Sequence, residues 1–245
     1  MRLDYSDAVE ILKDIYWVGY EERDTHLHCN SYVLVDDDEV VFFDTGSIPD
    51  FPVIMRKVLE VVDFKAVGLI VASHQDPDVC GNMAIVEDVV SNPELKIAAH
   101  SNTVRLIRHY GLKSDIYIVD DYDYKITLKS GRELEFIYAP FLHSPGAIVT
   151  YDKKTKTLFS GDIFGGVSKE WNLFEDENLL ANIKAFHQLY MPSNQILRKF
   201  LDKLDAYEIE RILPQHGSVI EGESVQKAIE FLKTVPCGID ILEGV

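Results

Sequence analysis

One stretch, residues 66–81 (AVGLIVASHQDPDVCG), constrains the fold more than any other part of the chain. It opens with apolar and β-branched residues, a pattern typical of a strand that is buried on both faces of a sheet. Pro77 lacks a backbone donor, so the strand cannot continue through it, and a helical pattern resumes soon afterwards. His74, Asp76 and Asp78 therefore share one tight loop at a strand end, where binding and catalytic residues commonly lie.

Strand and helix patterns alternate in two series along the chain. The predicted strands cover residues 15–20, 30–35, 40–44, 66–72, 96–99, 117–119, 124–128, 134–139, 148–151, 157–160 and 211–213. The predicted helices cover residues 50–62, 82–90, 101–109, 179–190, 193–204 and 224–234. Two strand-rich series with helices outside predict an α/β fold of the αββα sandwich type. Because no linker or low-complexity segment divides the chain, we expect residues 1–245 to form a single domain, with the acidic turn 36–39 exposed.

Composition excludes several classes of partner. The formal net charge of −17 predicts repulsion from nucleic acid and from anionic membranes. Three cysteines without paired spacing do not form a disulfide framework and are typical of a reducing compartment. No apolar run approaches the length of a membrane span, and the N-terminus has no apolar signal core. We therefore expect a soluble cytoplasmic protein with no nucleic-acid and no membrane partner.

Three further candidate ligands each follow a predicted strand: His143, Asp162 and His216. Each lies next to Gly or close to Pro, so each is expected in a turn. An isolated Asp at such a place is usually a turn or N-cap residue, and an isolated His usually packs in the core or on the surface. Together with the loop after the first buried strand, however, they make three His and three Asp. That number suits a two-metal site in which one carboxylate is shared by both ions.

The order of these motifs resembles the metallo-β-lactamase superfamily: Asp44-Thr-Gly, His74-x-x-x-Asp78, His143, Gly-Asp162 and His216-Gly. Most hydrolases of that superfamily carry His-x-His-x-Asp-His in the first loop, whereas this chain has Asp76 and Val79 in place of two imidazoles. A carboxylate in the middle of the loop is similar to the flavodiiron pattern, His-x-Glu-x-Asp.

Within the flavodiiron-like branch, the chain most resembles the stand-alone oxygen-binding diiron proteins (ODP). Asp in place of Glu, the segment 187–193 and the lack of a flavodoxin or rubredoxin domain carry this resemblance. Some members of that group are associated with bacterial chemotaxis and oxygen sensing. The resemblance implies the metallo-β-lactamase fold, a homodimer and two iron ions as cofactors.

The resemblance also implies a role for each motif residue. The ligands form two sets that share one member: His74, Asp76, His143 and Asp162 for one iron, and Asp78, His216 and the bridging Asp162 for the other. Asp44 would support the first ligand loop without binding a metal itself.

The ligand types favour iron independently of the resemblance. Replacing an imidazole by Asp76 makes the set harder and more anionic, which suits iron or manganese better than zinc. Val79 cannot bind a metal, so the second ion is expected to keep three protein ligands, with open positions beside an apolar wall. Such a site suits dioxygen, whereas a hydrolase needs metal-bound hydroxide and a polar cleft. Manganese and zinc are the less favoured occupants.

Four other polar residues are candidates to line the pocket. His26 and His28 alternate and are predicted to be strand neighbours on one face, unless they lie in a solvent-facing loop. His187 and Tyr190 lie one helical turn apart, although core packing explains Tyr190 equally well. Cys80 is expected to be a small apolar filler.

The sequence is compatible with three functions. The favoured one is a diiron oxygen sensor that binds dioxygen or NO and communicates with a signalling protein. The second is an enzyme, an O2 or NO reductase supplied by an external electron donor. The third is a zinc hydrolase acting on an ester, thioester or phosphodiester. The sequence does not decide whether the protein is an enzyme.

Overall fold

The computed structural model describes residues 4–22, 24–174 and 177–242. Two β-sheets pack face to face, and helices cover their outer faces. This is the αββα sandwich that the alternation of strand and helix patterns predicts.

The first sheet holds seven strands in chain order: β1 (Val9–Leu12), β2 (Ile15–Trp17), β3 (Tyr32–Asp36), β4 (Glu39–Phe43), β5 (Val67–Val71), β6 (Lys96–Ala99) and β7 (Asp115–Ile118). Strands β1 to β4 are antiparallel, and β4 to β7 are parallel. Its helices are α1 (Phe51–Val61), α2 (Pro77–Cys80), α3 (Met83–Val90) and α4 (Ser101–Ile107). Parallel strands need helical crossovers, which is why the helices cover this half of the sheet.

The second sheet has the order β13-β12-β11-β10-β9-β8. Its strands are β8 (Lys125–Thr127), β9 (Glu133–Tyr138), β10 (Ile148–Asp152), β11 (Thr157–Gly161), β12 (Arg211–Pro214) and β13 (Ile220–Glu221). Among the described strands of this sheet, only β11 and β12 pair in parallel, and the crossover between them carries α5 (Leu179–Tyr190) and α6 (Asn194–Leu201). Helix α7 (Glu223–Leu232) follows β13.

Three hydrophobic clusters hold these layers together. One lies between the sheets, where Phe43 of β4 stacks on Phe159 of β11 with ring centroids 3.7 Å apart. The second packs the first sheet on α1 to α4, and the third packs the second sheet on α5 to α7. Strand β5 is buried at all five residues, as its continuous apolar run predicts.

The structure corrects some sequence-based expectations. Strands β1 and β13 were not predicted, because they are short and lack a clear apolar alternation. Helix α4 ends at Ile107, two residues before the predicted end, and is capped by His100, whose Nδ1 accepts from the backbone N–H of Asn102. Asp36, expected in an exposed turn, is buried because it pairs with Arg132. Among the helices of the described residues, none combines the length and the apolar character needed to span a bilayer.

Candidate metal centre

Strand ends from both sheets bring the six predicted ligands to one place. The loop after β5 supplies His74, Asp76 and Asp78, and the segments after β9, β11 and β12 supply His143, Asp162 and His216. The parallel pairing of β11 with β12 puts the ends of these two strands side by side. A rigid scaffold thus converges on side chains that are far apart in the sequence.

The first group of side chains surrounds one oxygen of Asp162. His143 Nε2 lies 2.9 Å from Asp162 Oδ2 and 3.3 Å from Asp76 Oδ2. His74 Nε2 lies 3.6 Å and 3.7 Å from the same two oxygens. Ligand atoms of His74, Asp76 and His143 lie within 4.8 Å of one another, so that one ion can contact all three.

The second group lies on the other side of Asp162. His216 Nε2 is 3.2 Å from Asp78 Oδ2 and 3.6 Å from Asp162 Oδ1. The thiol of Cys29 is also here, with Sγ 4.0 Å from Asp78 Oδ2. Ligand atoms of Cys29, Asp78 and His216 lie within 4.8 Å of one another. Cys29 is not among the ligands that the sequence predicts. In this segment the sequence marks only its neighbour, His28, as a pocket candidate.

Asp162 lies between the two groups and offers one carboxylate oxygen to each. It is 4% exposed, and within the described part of the chain its Oδ1 has no hydrogen-bond partner. Gly161, just before it, has φ +54°, and a Cβ there would stand 3.0 Å from the Cβ of Ser73. Glycine therefore permits the turn that aims Asp162 inwards.

The charges of the centre are those of a cation site. Burial alone would raise the pKa of Asp162, but the charge of His74 and the hydrogen bond from His143 hold that pKa well below its ordinary value. Hydrogen bonds to Asp162 and Asp76 raise the pKa of His143 to about 10. Without a metal, the buried carboxylate thus retains a proton on the imidazole of His143. The oxygen and nitrogen donors and the unpartnered Oδ1 fit divalent metal ions, which would replace that proton.

A second layer of contacts orients His74. Asp44 Oδ1 accepts a hydrogen bond of 2.8 Å from the backbone N–H of Ser73, and Ser73 Oγ lies 3.0 Å from His74 Nδ1. Burial raises the pKa of Asp44 to about 6. This contact lies at the base of the ligand loop, where the sequence predicts a supporting carboxylate.

The segment around His216 is held by residues next to Cys29. His216 Nδ1 lies 2.9 Å from the backbone carbonyl of His28. Asn30 Nδ2 donates to the carbonyls of Pro214 and Gly217 at 3.0 Å and 2.8 Å, while its Oδ1 accepts from Trp17 Nε1. These bonds fix the ring of His216 with Nε2 facing Asp78 and Asp162.

The two histidines predicted to share a strand face do not do so. Residues 26–28 form a loop, and His26 has φ +63°. The ring of His28 stacks on Trp171 with centroids 4.6 Å apart, and burial lowers its pKa to about 4. His28 therefore serves the centre through its backbone carbonyl, while its ring packs against the indole.

His187 is fully buried in α5 and uses both ring nitrogens inside the protein. Its Nδ1 lies 2.7 Å from the carbonyl of Ile183, and its Nε2 accepts from the backbone N–H of Phe164 at 3.3 Å. Burial lowers its pKa to about 4. His187 thus anchors the segment after Asp162, and the ring of Tyr190, 43% exposed, lies 6.3 Å from that of His143.

Val79 and Cys80 both lie in the core beneath the ligand loop. Val79 is fully buried in the hydrophobic cluster that contains Ile54 and Met83, so it packs as a core residue. Cys80 belongs to the same cluster and donates its thiol to the backbone carbonyl of His74, 2.9 Å away.

Comparisons with known proteins agree with this architecture. The family described as ODP family β-lactamase matches residues 27–217. The solved structure of the peroxy diiron species of the chemotaxis sensor ODP has 28% sequence identity and a TM-score of 0.83, and the match covers 96% of this chain and 97% of that one.

Two curated relatives are longer than this chain. An uncharacterized protein of Methanocaldococcus jannaschii is 30% identical over 91% of this chain and 59% of its own length. The anaerobic nitric oxide reductase flavorubredoxin of Pectobacterium carotovorum is 28% identical over 84% of this chain and 42% of its own length. The chain thus spans only about half the length of these two relatives.

Proposed function

Because the chain belongs to the ODP family of β-lactamase domains, we propose that it is a non-haem diiron protein that binds dioxygen and serves as an oxygen sensor. One observation carries the proposal: the buried carboxylate of Asp162 directs one oxygen to each of two groups of metal-ligating side chains. A shared carboxylate between two such groups is typical of a two-metal centre.

We assign the ligands in two sets that share one member: His74, Asp76, His143 and Asp162 for the first iron, and Asp78, His216 and Asp162 for the second. Two ferrous ions bound there would supply the redox chemistry with which dioxygen reacts. Carboxylates and imidazoles together suit iron or manganese better than zinc, which supports the choice of metal.

The side chains of the centre differ in their access to solvent, and this difference gives dioxygen a way in. Asp76, Asp78 and His143 keep between 24% and 31% of their side-chain surface exposed. His74, His216 and Asp162 keep only 3%. A small molecule therefore approaches from the side of the first three residues, while the latter three form the buried floor and exclude water from it.

A sensor is favoured over a reductase by the family match. The family model that matches residues 27–217 is the ODP model, and the chemotaxis sensor ODP is 28% identical with a TM-score of 0.83. The proposed sensor forms a homodimer in the cytoplasm and passes the state of its iron centre to a signalling protein. In the reductase alternative, NO or O2 is the substrate and an external donor supplies the electrons.

The test mixes anaerobic protein loaded with ferrous iron with dissolved O2 and follows the visible spectrum and the oxygen consumed. A sensor takes up O2 once, changes its spectrum and stops, even when a reductant is present. Continued O2 or NO consumption with a donor would instead identify a reductase. An unchanged spectrum would contradict both, and hydrolysis of an ester, thioester or phosphodiester by a zinc form would support a hydrolase.

A further inference from the structure

We propose that the sulfur of Cys29 is a protein ligand of the second metal ion, together with His216, Asp78 and Asp162. This inference rests on the proposed diiron function and adds one ligand to it. The second ion would then have four protein ligands, of which one is a thiolate, instead of the three that the sequence motifs predict.

The thiol of Cys29 lies close to two of the predicted ligands of the second ion. Cys29 Sγ lies 4.0 Å from Asp78 Oδ2, and the ligand atoms of Cys29, Asp78 and His216 lie within 4.8 Å of one another. Bonds to one ion of about 2.0–2.3 Å keep ligand atoms within roughly 4.6 Å of each other, so small side-chain movements let the three share an ion.

The residues on both sides of Cys29 hold His216 and its neighbours in place. The carbonyl of His28 lies 2.9 Å from His216 Nδ1, and the side chain of Asn30 donates to the carbonyls of Pro214 and Gly217. Cys29 itself pairs with Tyr20, whose N–H donates to its carbonyl at 2.9 Å. The backbone of Cys29 is therefore held in place relative to the imidazole with which its thiol would share the ion.

A second, independent observation points to a ligand at this place. Asp162 Oδ1 is fully buried, lies 3.6 Å from His216 Nε2 and has no hydrogen-bond partner among the described residues. The other oxygen, Oδ2, is 2.9 Å from His143. A buried carboxylate oxygen without a partner is costly, and a cation between Asp162, His216 and Cys29 would remove that cost.

Binding of the ion has a simple balance. A sulfur–metal bond forms, the S–H bond breaks, and the proton of the Cys29 thiol goes to solvent with no change of oxidation state. The two positions would then differ, because a thiolate is a softer and more electron-donating ligand than the carboxylate of Asp76. The thiolate would also give the second ion a charge-transfer absorption that the first ion lacks.

The other two cysteines provide the comparison. Cys80 donates its thiol to the carbonyl of His74, and Cys237 is fully buried in the cluster that packs the second sheet on its helices. Neither belongs to a group of side chains arranged to share an ion within the described residues. Cys237→Ser is therefore a matched control that removes a buried thiol away from the centre.

The experiment uses Co²⁺ as a spectroscopic probe, added without air to the full chain after its own metals are removed. We expect wild type and Cys237→Ser to bind two Co²⁺ per chain and to show a near-ultraviolet sulfur-to-cobalt absorption. Cys29→Ser should lose that absorption and bind the second Co²⁺ at least about tenfold more weakly. Circular dichroism of each variant checks that it folds, and the wild-type spectrum decides the question even if Cys29→Ser does not fold.

The outcomes separate the two proposals. Two bound Co²⁺ without sulfur absorption in wild type would overturn the role of Cys29 and leave the diiron function standing. The same absorption in folded Cys29→Ser would also overturn it. Failure of wild type to bind two Co²⁺ or two Fe²⁺ would contradict the proposed function itself.

Discussion

Asp162 Oδ2 lies 2.9 Å from His143 Nε2, while the other oxygen of the same carboxylate faces His216 at 3.6 Å. The two imidazoles come from different loops, so this single carboxylate joins both halves of the centre. Because Asp162 is buried, its negative charge must be paired. Its partner is therefore either a metal ion or a protonated imidazole.

The shared role of Asp162 predicts unequal effects of two ligand substitutions. Asp162→Ala removes a donor from both positions and should leave no tightly bound iron, whereas His74→Ala should leave about one iron per chain. Metal analysis after anaerobic loading and desalting measures this difference. Circular dichroism must confirm folding, and equal iron content in the two folded variants would contradict the assignment of the bridge.

Asn30 should control only the second position. Asn30→Ala removes both hydrogen bonds to the backbone around His216. It should weaken binding of the second iron by about 10- to 100-fold and leave binding of the first iron unchanged. The matched control is Asn92→Ala, because Asn92 Nδ2 also donates to two carbonyls, those of Lys65 and Val67, away from the centre. Stepwise titration with Fe²⁺ measures both affinities, and a loss confined to the first iron would refute the role given to Asn30.

The fold and the six main candidate residues could be predicted because their signals are local. The buried run that became β5, the turn residues and the motif order are all readable along the chain. Cys29 could not be predicted as part of the centre, because it belongs to none of these motifs and only the packing of the sheets brings its thiol to 4.0 Å from Asp78.

The direction of a side chain is the other feature that the sequence does not determine. Alternation predicts His28 on a strand face, and helical spacing predicts His187 facing the pocket. Tertiary contacts, however, determine where each ring points. Stacking on Trp171 turns the His28 ring away from the pocket, and a hydrogen-bond contact with the carbonyl of Ile183 holds the His187 ring. Burial of Asp36 was missed for the same reason, since Arg132 is 96 residues away.

The ion pairs of Arg132 should be important for stability. Its guanidinium is buried between Asp36 and Asp152, so Arg132→Met leaves the buried carboxylate of Asp152 without its cation and leaves Asp36 with Lys154 alone. We expect the free energy of unfolding to fall by about 3–5 kcal/mol in urea denaturation. Lys125→Met, which breaks an exposed pair with Glu133, should cost much less, because solvent screens an exposed ion pair. Similar losses in the two variants would show that burial of the Arg132 pairs has no special effect.

Lys57 should make stability depend on pH. It is fully buried, donates to the carbonyls of Tyr5 and Gly19, and lies 3.8 Å from the ring centroid of Trp17. Burial lowers its pKa from 10.5 to about 8, so between these values the unfolded chain binds a proton that the folded chain does not. The unfolding free energy therefore rises with pH across this window, by up to about 3 kcal/mol for this residue.

The comparison that isolates Lys57 is with Lys57→Met, in which this titration is absent. Urea denaturation of both proteins across the window should show the wild type gaining stability relative to the variant as pH rises. A constant difference between them would mean that Lys57 keeps its ordinary pKa in the folded protein.

Anaerobic titration with Fe²⁺ followed by metal analysis shows whether the chain holds two iron ions around Asp162. We expect two irons per folded chain and a visible spectrum that changes when air is admitted. A single iron, no iron, or two zinc ions that iron does not replace would contradict this expectation.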